Sequence, residues 1–167
     1  VKDWDTKMES WRKIADEIKD DVQQGNNVGF LTLGDPSVYS TFSYLADILI
    51  PVIDVQTIAG ISSFSQIAAS LSIPLMLDEE SLEVVPATAD KEKLAKVIDL
   101  NDNVVIMKIA TNFKKVYQIL KERKLLDKTV IVENASMANQ RVQRLTEYSA
   151  DDQLPYFSTA LLKKKEA

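Results

Sequence analysis

The chain has 167 residues, 46% apolar and 27% charged, with a formal net charge of −5, no cysteine and no histidine. That profile supports one globular domain or two small ones and sets aside disordered, collagen-like and disulfide-scaffold chains. Thiol nucleophiles, imidazole acid–base chemistry and cysteine- or histidine-ligated zinc are excluded outright, and no metal site is expected.

Opening on Val1 instead of an initiator methionine, with no signal-peptide pattern ahead of its first helix, the chain reads as a piece of a longer polypeptide. Trp11, Ile14, Ala15, Ile18 and Val22 form a helical stripe across residues 8–24, and Gly25-Asn26-Asn27 stops it. Val28–Leu33 is an apolar run of strand length that meets Gly34-Asp35-Pro36. A helix is predicted over 37–50, with Tyr44, Leu45, Ile48 and Leu49 inward and Pro51 closing it. Next come a strand over 53–58, a turn at Ala59-Gly60, and a helix over 62–71 capped by Ser62 or Ser63. Strands over 82–85, 104–107, 129–133 and 156–162 alternate with helices over 91–100 and 113–124. Such alternation defines an α/β chain, divided at a hinge near Pro51 into residues 1–51 and 52–167. No apolar run reaches the roughly 18 residues of a membrane span. Lys163-Lys164-Lys165 reads as a frayed end.

Charge is uneven along the chain. Residues 1–107 carry 8 basic and 18 acidic side chains, whereas 108–144 carry 9 basic and 3 acidic. Between Lys19 and Lys91 there is no lysine or arginine, which argues against nucleic acid as a partner. The basic segment is either the solvated face of one helix, with Lys114, Lys115, Lys121 and Lys124 recurring along it, or a place for an anionic small molecule.

Two loops could carry chemistry. In the first, Leu33-Gly34-Asp35-Pro36 joins a strand to a helix, where ligands of open α/β sheets sit. Gly34 permits close backbone approach and Asp35 can accept hydrogen bonds, although the same residues form ordinary turns. In the second, Ile58-Ala59-Gly60-Ile61-Ser62-Ser63 leads into a helix N-terminus, whose free N–H groups suit an anion or simply need a cap. No acid–base residue stands out, so catalytic residues are unassigned.

Taken in order, Phe30-Leu31-Thr32-Leu33-Gly34-Asp35-Pro36-Ser37-Val38-Tyr39-Ser40-Thr41, Ile58 to Phe64, Val105 to Lys108, Val132 to Ser136 and Tyr156-Phe157-Ser158 resemble the tetrapyrrole methylase family. These are S-adenosylmethionine-dependent methyltransferases of corrin and sirohaem synthesis with a two-lobed α/β fold. The Gly-Asp-Pro-x-x-Tyr-Ser-Thr form followed by Tyr44-Leu45 looks like the branch that methylates C20 of precorrin-2 or cobalt-factor II in cobalamin synthesis.

The resemblance implies a cofactor pocket lined by Gly34 and Asp35 with backbone from Val38 and Tyr39. Ser62 and Ser63 would meet the methionine end, and Met107 and Ala135 would flank the adenine. Lys108 and Arg141 would offset the carboxylates of an anionic tetrapyrrole. A cytoplasmic homodimer, with no membrane and no nucleic acid, is implied as well. Methyl transfer from a sulfonium rests chiefly on alignment, which suits a site without an evident base. Three departures stand out. The family's opening strand and Gly-Pro-Gly-Asp type loop are absent, so the first lobe is expected to be incomplete. Ala59-Gly60-Ile61 stands where Pro-Gly-Ile is usual, and histidine is missing. Two other readings compete: a family member acting on another ring carbon, on ribosomal RNA or on protein, and a non-catalytic cofactor-binding domain.

Overall fold

A computed structural model describes residues 2–165, which divide into two compact units between Ser62 and Ser63. In the first unit, α1 (Lys2–Gln23) is laid down by the stripe read from the sequence: Ala15 is fully buried, with Trp11, Ile14 and Ile18 packed beside it. Gly25, at φ +89, ends the helix in the left-handed conformation that glycine adopts without strain. The second helix, α2 (Phe42–Leu49), buries Leu45 and Leu49 against α1, and Tyr44 meets Trp4 edge-on at 5.2 Å. This helix is shorter than predicted. Residues 37–41 are turns, because Asp35 takes the backbone N–H of Ser37 and the chain must bend through Tyr39 at φ +49.

Two further expectations fail in this unit. Residues 28–33 and 53–58 are not strands; both are irregular. An apolar run becomes a strand only where a neighbour accepts and donates the ladder bonds, and among the described residues no strand flanks either segment. Leu31, Leu33 and Ile58 are accordingly open to solvent at 94%, 84% and 78%. Ile53 and Val55 pack with the α1–α2 cluster, so the stretch that the sequence placed in the second lobe sits in the first unit up to Ser62.

The second unit begins with α3 (Ser63–Ser70) and contains a five-stranded sheet. Its strands are β1 (Leu82–Pro86), β2 (Asn103–Met107), β3 (Thr129–Glu133), β4 (Arg141–Arg144) and β5 (Ser158–Lys163), in the order β1-β2-β5-β3-β4. β1 and β2 are parallel, while β5 runs antiparallel to both β2 and β3. Helices α4 (Lys91–Leu100) and α5 (Phe113–Glu122) supply Leu94, Val97, Ile98, Val116, Ile119 and Leu120 to one core. Val104, Ile106, Ile131, Ala160 and Leu162 meet them from the sheet. Val105, Val132 and Leu161 alternate to the opposite face and are buried too, which is why these strands read as unbroken apolar runs.

β4 was not foreseen: Arg-Val-Gln-Arg has no apolar alternation, and only its pairing with β3 makes it a strand. Nor is the lysine tail frayed. Lys163 lies in β5 and donates to Asn103 Oδ1 at 2.9 Å and to the Leu75 carbonyl at 3.1 Å. Lys164 donates to the Asp99 carbonyl at 3.1 Å. Among the described residues no helix is long and apolar enough to cross a membrane.

Candidate functional site

In the first unit the two loops singled out in the sequence are one structure. Gly34 turns at φ +72 and delivers Asp35 to a position facing the second loop. One carboxylate oxygen, Oδ1, accepts the backbone N–H of Ser37 at 2.8 Å and the Ser37 hydroxyl. The other, Oδ2, accepts the N–H of Gly60 at 3.1 Å, from 25 residues further along the chain. The Ser37 hydroxyl, then its backbone N–H, and more weakly the Gly60 N–H hold the Asp35 carboxyl below the usual carboxylate range against some desolvation. Gly60 has no alternative residue in this geometry, since a Cβ there would stand 2.0 Å from the Gly34 carbonyl oxygen. Val38 closes the turn by donating its N–H to the Asp35 carbonyl at 3.1 Å, and Tyr39 projects half-exposed from it.

The second loop runs into α3. Ser62 is buried at 7% exposure. The Oγ of Ser63, first residue of the helix, is buried and has no hydrogen-bond partner among the described residues. A buried hydroxyl without a partner is costly and rare.

In the second unit Met107 ends β2, its carbonyl accepting the Ala87 N–H at 2.7 Å. Ala135 follows the end of β3, where Asn134 donates its N–H to the Phe157 carbonyl at 2.7 Å. Ile106 is in register with Ala160, and Glu133 with Ser158. Met107 and Ala135 therefore lie on either side of the start of β5, at the carboxyl ends of β2 and β3. Non-glycine residues at positive φ flank both: Lys108 (+55), Asn134 (+50) and Ser136 (+64). With Tyr39, four of the seven such residues described stand in or beside the segments read as cofactor-binding. Backbone strain of this kind costs about 1–3 kcal/mol per residue and gathers at functional sites.

The two cations expected at the substrate do not meet. Lys108 follows β2 and Arg141 opens β4, three strand spacings away, or about 14 Å. Arg141, its side chain half-exposed, also reaches a buried pair: its Nη1 lies 4.0 Å from Glu133 Oε2, and its guanidinium carbon 5.8 Å from the Tyr148 ring centre. The Tyr148 hydroxyl donates to Glu133 Oε1 at 3.0 Å, with both residues buried. Burial, then the bond to Glu133 and its charge, push the Tyr148 phenol up to about 12. Sequence reasoning missed Glu133 and Tyr148 as partners; the one available signal was a carboxylate closing an otherwise apolar strand. Lys114 and Lys115 are occupied by Asp151 Oδ1 at 2.7 Å and the Ala89 carbonyl at 2.6 Å. Among the described residues no three acidic side chains converge as metal ligands.

Fold and loops together define a class, and comparison with known proteins agrees. The profile of tetrapyrrole (corrin/porphyrin) methylases matches residues 2–151, and the chain belongs to this family. A curated relative, the cobalt-precorrin-2 C(20)-methyltransferase of Salmonella typhimurium, is 31% identical over 156 residues, covering 93% of this chain and 66% of its own length. The chain thus spans about two thirds of that relative. Among solved structures, the cobalt precorrin-4 methyltransferase CbiF superposes with TM-score 0.75 at 16% identity, over 91% of this chain and 70% of that one. The uroporphyrin-III C-methyltransferase of Thermus thermophilus, complexed with S-adenosylhomocysteine, superposes with TM-score 0.59 at 18% identity, over 78% and 63%. At those identities the structures establish the shared fold.

Proposed function

We propose that this chain acts in S-adenosylmethionine-dependent methyl transfer to C20 of precorrin-2 or cobalt-factor II in cobalamin synthesis. The observation that carries the reading is the joined pair of glycine loops at Gly34 and Gly60, packed so closely that a Cβ at Gly60 would stand 2.0 Å from the Gly34 carbonyl oxygen. Similarity to a C20-specific relative across 93% of the chain favours this ring carbon.

In this reading Gly34, Asp35, Val38, Tyr39 and Ser62 are assigned to the methyl donor. Ser63, whose buried hydroxyl has no partner among the described residues, suits the polar methionine end, and Met107 and Ala135 suit a flat adenine. When bound, the cofactor supplies an electrophilic sulfonium methyl; the protein's part is to align it with an electron-rich ring carbon and exclude water. Lys108 and Arg141 offset carboxylates of the macrocycle. The working form in this reading is a cytoplasmic homodimer that engages neither membrane nor nucleic acid.

Incubation with methyl-labelled cofactor and a panel of metal-free and cobalt-bearing tetrapyrroles tests the proposal. Label on C20 of precorrin-2 or cobalt-factor II is the expected product. Label on another ring carbon would move the chain to a different branch of the family, and cofactor binding without transfer to any tetrapyrrole would make it a binding domain.

A further inference from the structure

Asp35 stands among the residues proposed for the cofactor site, and its hydrogen bonds define how it would act there. A carboxylate that contacts a ligand keeps an oxygen directed at the ligand. Here Oδ1 accepts the backbone N–H and the hydroxyl of Ser37 on its own loop and Oδ2 accepts the Gly60 N–H on the other, so three of the carboxylate's roughly four acceptor sites serve the loops themselves. The two loops also touch through backbone, so tightly that Gly60 tolerates no side chain against the Gly34 carbonyl. One clasp thus has two halves: a charged acceptor on the first loop and a bare glycine on the second. Opening either half releases the same contact.

We infer that Asp35 is a positioning residue, which fastens the Gly34 loop to the Gly60 loop and thereby shapes the backbone facing the methyl donor. The functional half of this inference rests on the methyltransferase reading; the clasp itself does not. Through the clasp, Asp35 sets the path from Gly60 into Ser62 and Ser63, the residues assigned to the methionine end. Ser37 belongs to the device as the residue that orients the carboxylate. The departure from Pro-Gly-Ile to Ala59-Gly60-Ile61 leaves it intact, because only the glycine enters the contact.

The test uses the ligand-free protein first. In proton–nitrogen NMR spectra, the amide signals of Gly60 and Ser37 move together as the Asp35 carboxyl is protonated, at a pH below the ordinary aspartate range. In Asp35→Ala both shift to their non-bonded positions and the joint titration disappears. A Gly60 amide that ignores both pH and Asp35→Ala overturns the clasp. The second arm measures affinity for S-adenosylhomocysteine and for 5′-methylthioadenosine, which lacks the amino-acid end. Acting through the loops, Asp35→Ala and Gly60→Ala weaken both ligands by similar factors, and the double variant is no worse than the weaker single one. That corresponds to a coupling of about threefold or more. Loss confined to S-adenosylhomocysteine, additive with Gly60→Ala, would make Asp35 a direct ligand and refute the inference. Ser37→Ala, the milder change, keeps the Gly60 bond and produces a smaller effect of the same pattern if the harsher variants fail to fold. Should the wild type bind neither ligand, the methyltransferase reading fails while the NMR arm still decides the clasp.

Discussion

Replacing Tyr148 with phenylalanine removes one oxygen from the second unit and leaves the ring in place. Its hydroxyl is the neutral donor to Glu133 Oε1 at 3.0 Å, and Tyr148 is only 7% exposed. Without it the buried carboxylate keeps only Arg141, whose Nη1 lies 4.0 Å from the other oxygen. Loss of a hydrogen bond to a charged group costs about 1.5–3 kcal/mol. Linkage gives the pH dependence. The phenol is raised from its usual 10 to about 12, by burial first and the Glu133 bond second, so the neutral, donating form is the one the fold favours. The sign follows from the raised value: this stability is fully present below pH 10 and is lost as pH rises toward 12. Urea unfolding followed by circular dichroism therefore shows Tyr148→Phe less stable than wild type at pH 8, with the gap closing by pH 12. Tyrosinate absorbance has a late-titrating component in wild type that is lost in the variant. A stability gap that stays constant from pH 8 to 12 would refute the assigned hydrogen bond.

Ile106→Ala deletes a fully buried side chain from the strand between β1 and β5, and is expected to cost about 2–5 kcal/mol, read as a lower urea midpoint. Lys108→Gln is expected to weaken tetrapyrrole binding more than cofactor binding, with added salt narrowing the difference, whereas Lys121→Gln changes neither. Arg141→Gln should lower stability as well as substrate affinity, since Arg141 also serves Glu133; equal effects from all three substitutions in a titration would return the basic segment to a solvated surface. Asp99, Asp102 and Glu80 are held below the usual carboxylate range, chiefly by Arg123, the Ser81 N–H and the Asn103 amide respectively. Their contribution is present above about pH 4 and drains away as pH falls further, so removing the Arg123 guanidinium should move the acid-unfolding midpoint upward.

What the sequence determined by itself was local. The α1 stripe, the spans of α4 and β3 and the starts of β1 and α5 follow from side-chain periodicity and from flanking breakers such as Gly25, and each needs little beyond neighbouring residues. The order of the motifs was sufficient to mark the family, because Gly34 and Gly60 stand where backbone must approach closely. Tertiary structure decided everything that depends on a partner. Residues 28–33 and 53–58 have strand composition, yet a strand exists only when another chain segment completes its hydrogen bonds. β4 shows the converse, a polar segment made into a strand by its register with β3. That Arg141 also serves a buried carboxylate is legible only in the fold, which sets Glu133 and Tyr148 beside it. Asp35 and Gly60 each looked like half of a separate site. Only their meeting across 25 residues shows that one holds the other, since a single side-chain oxygen and a single missing Cβ carry no record in the sequence of what they face.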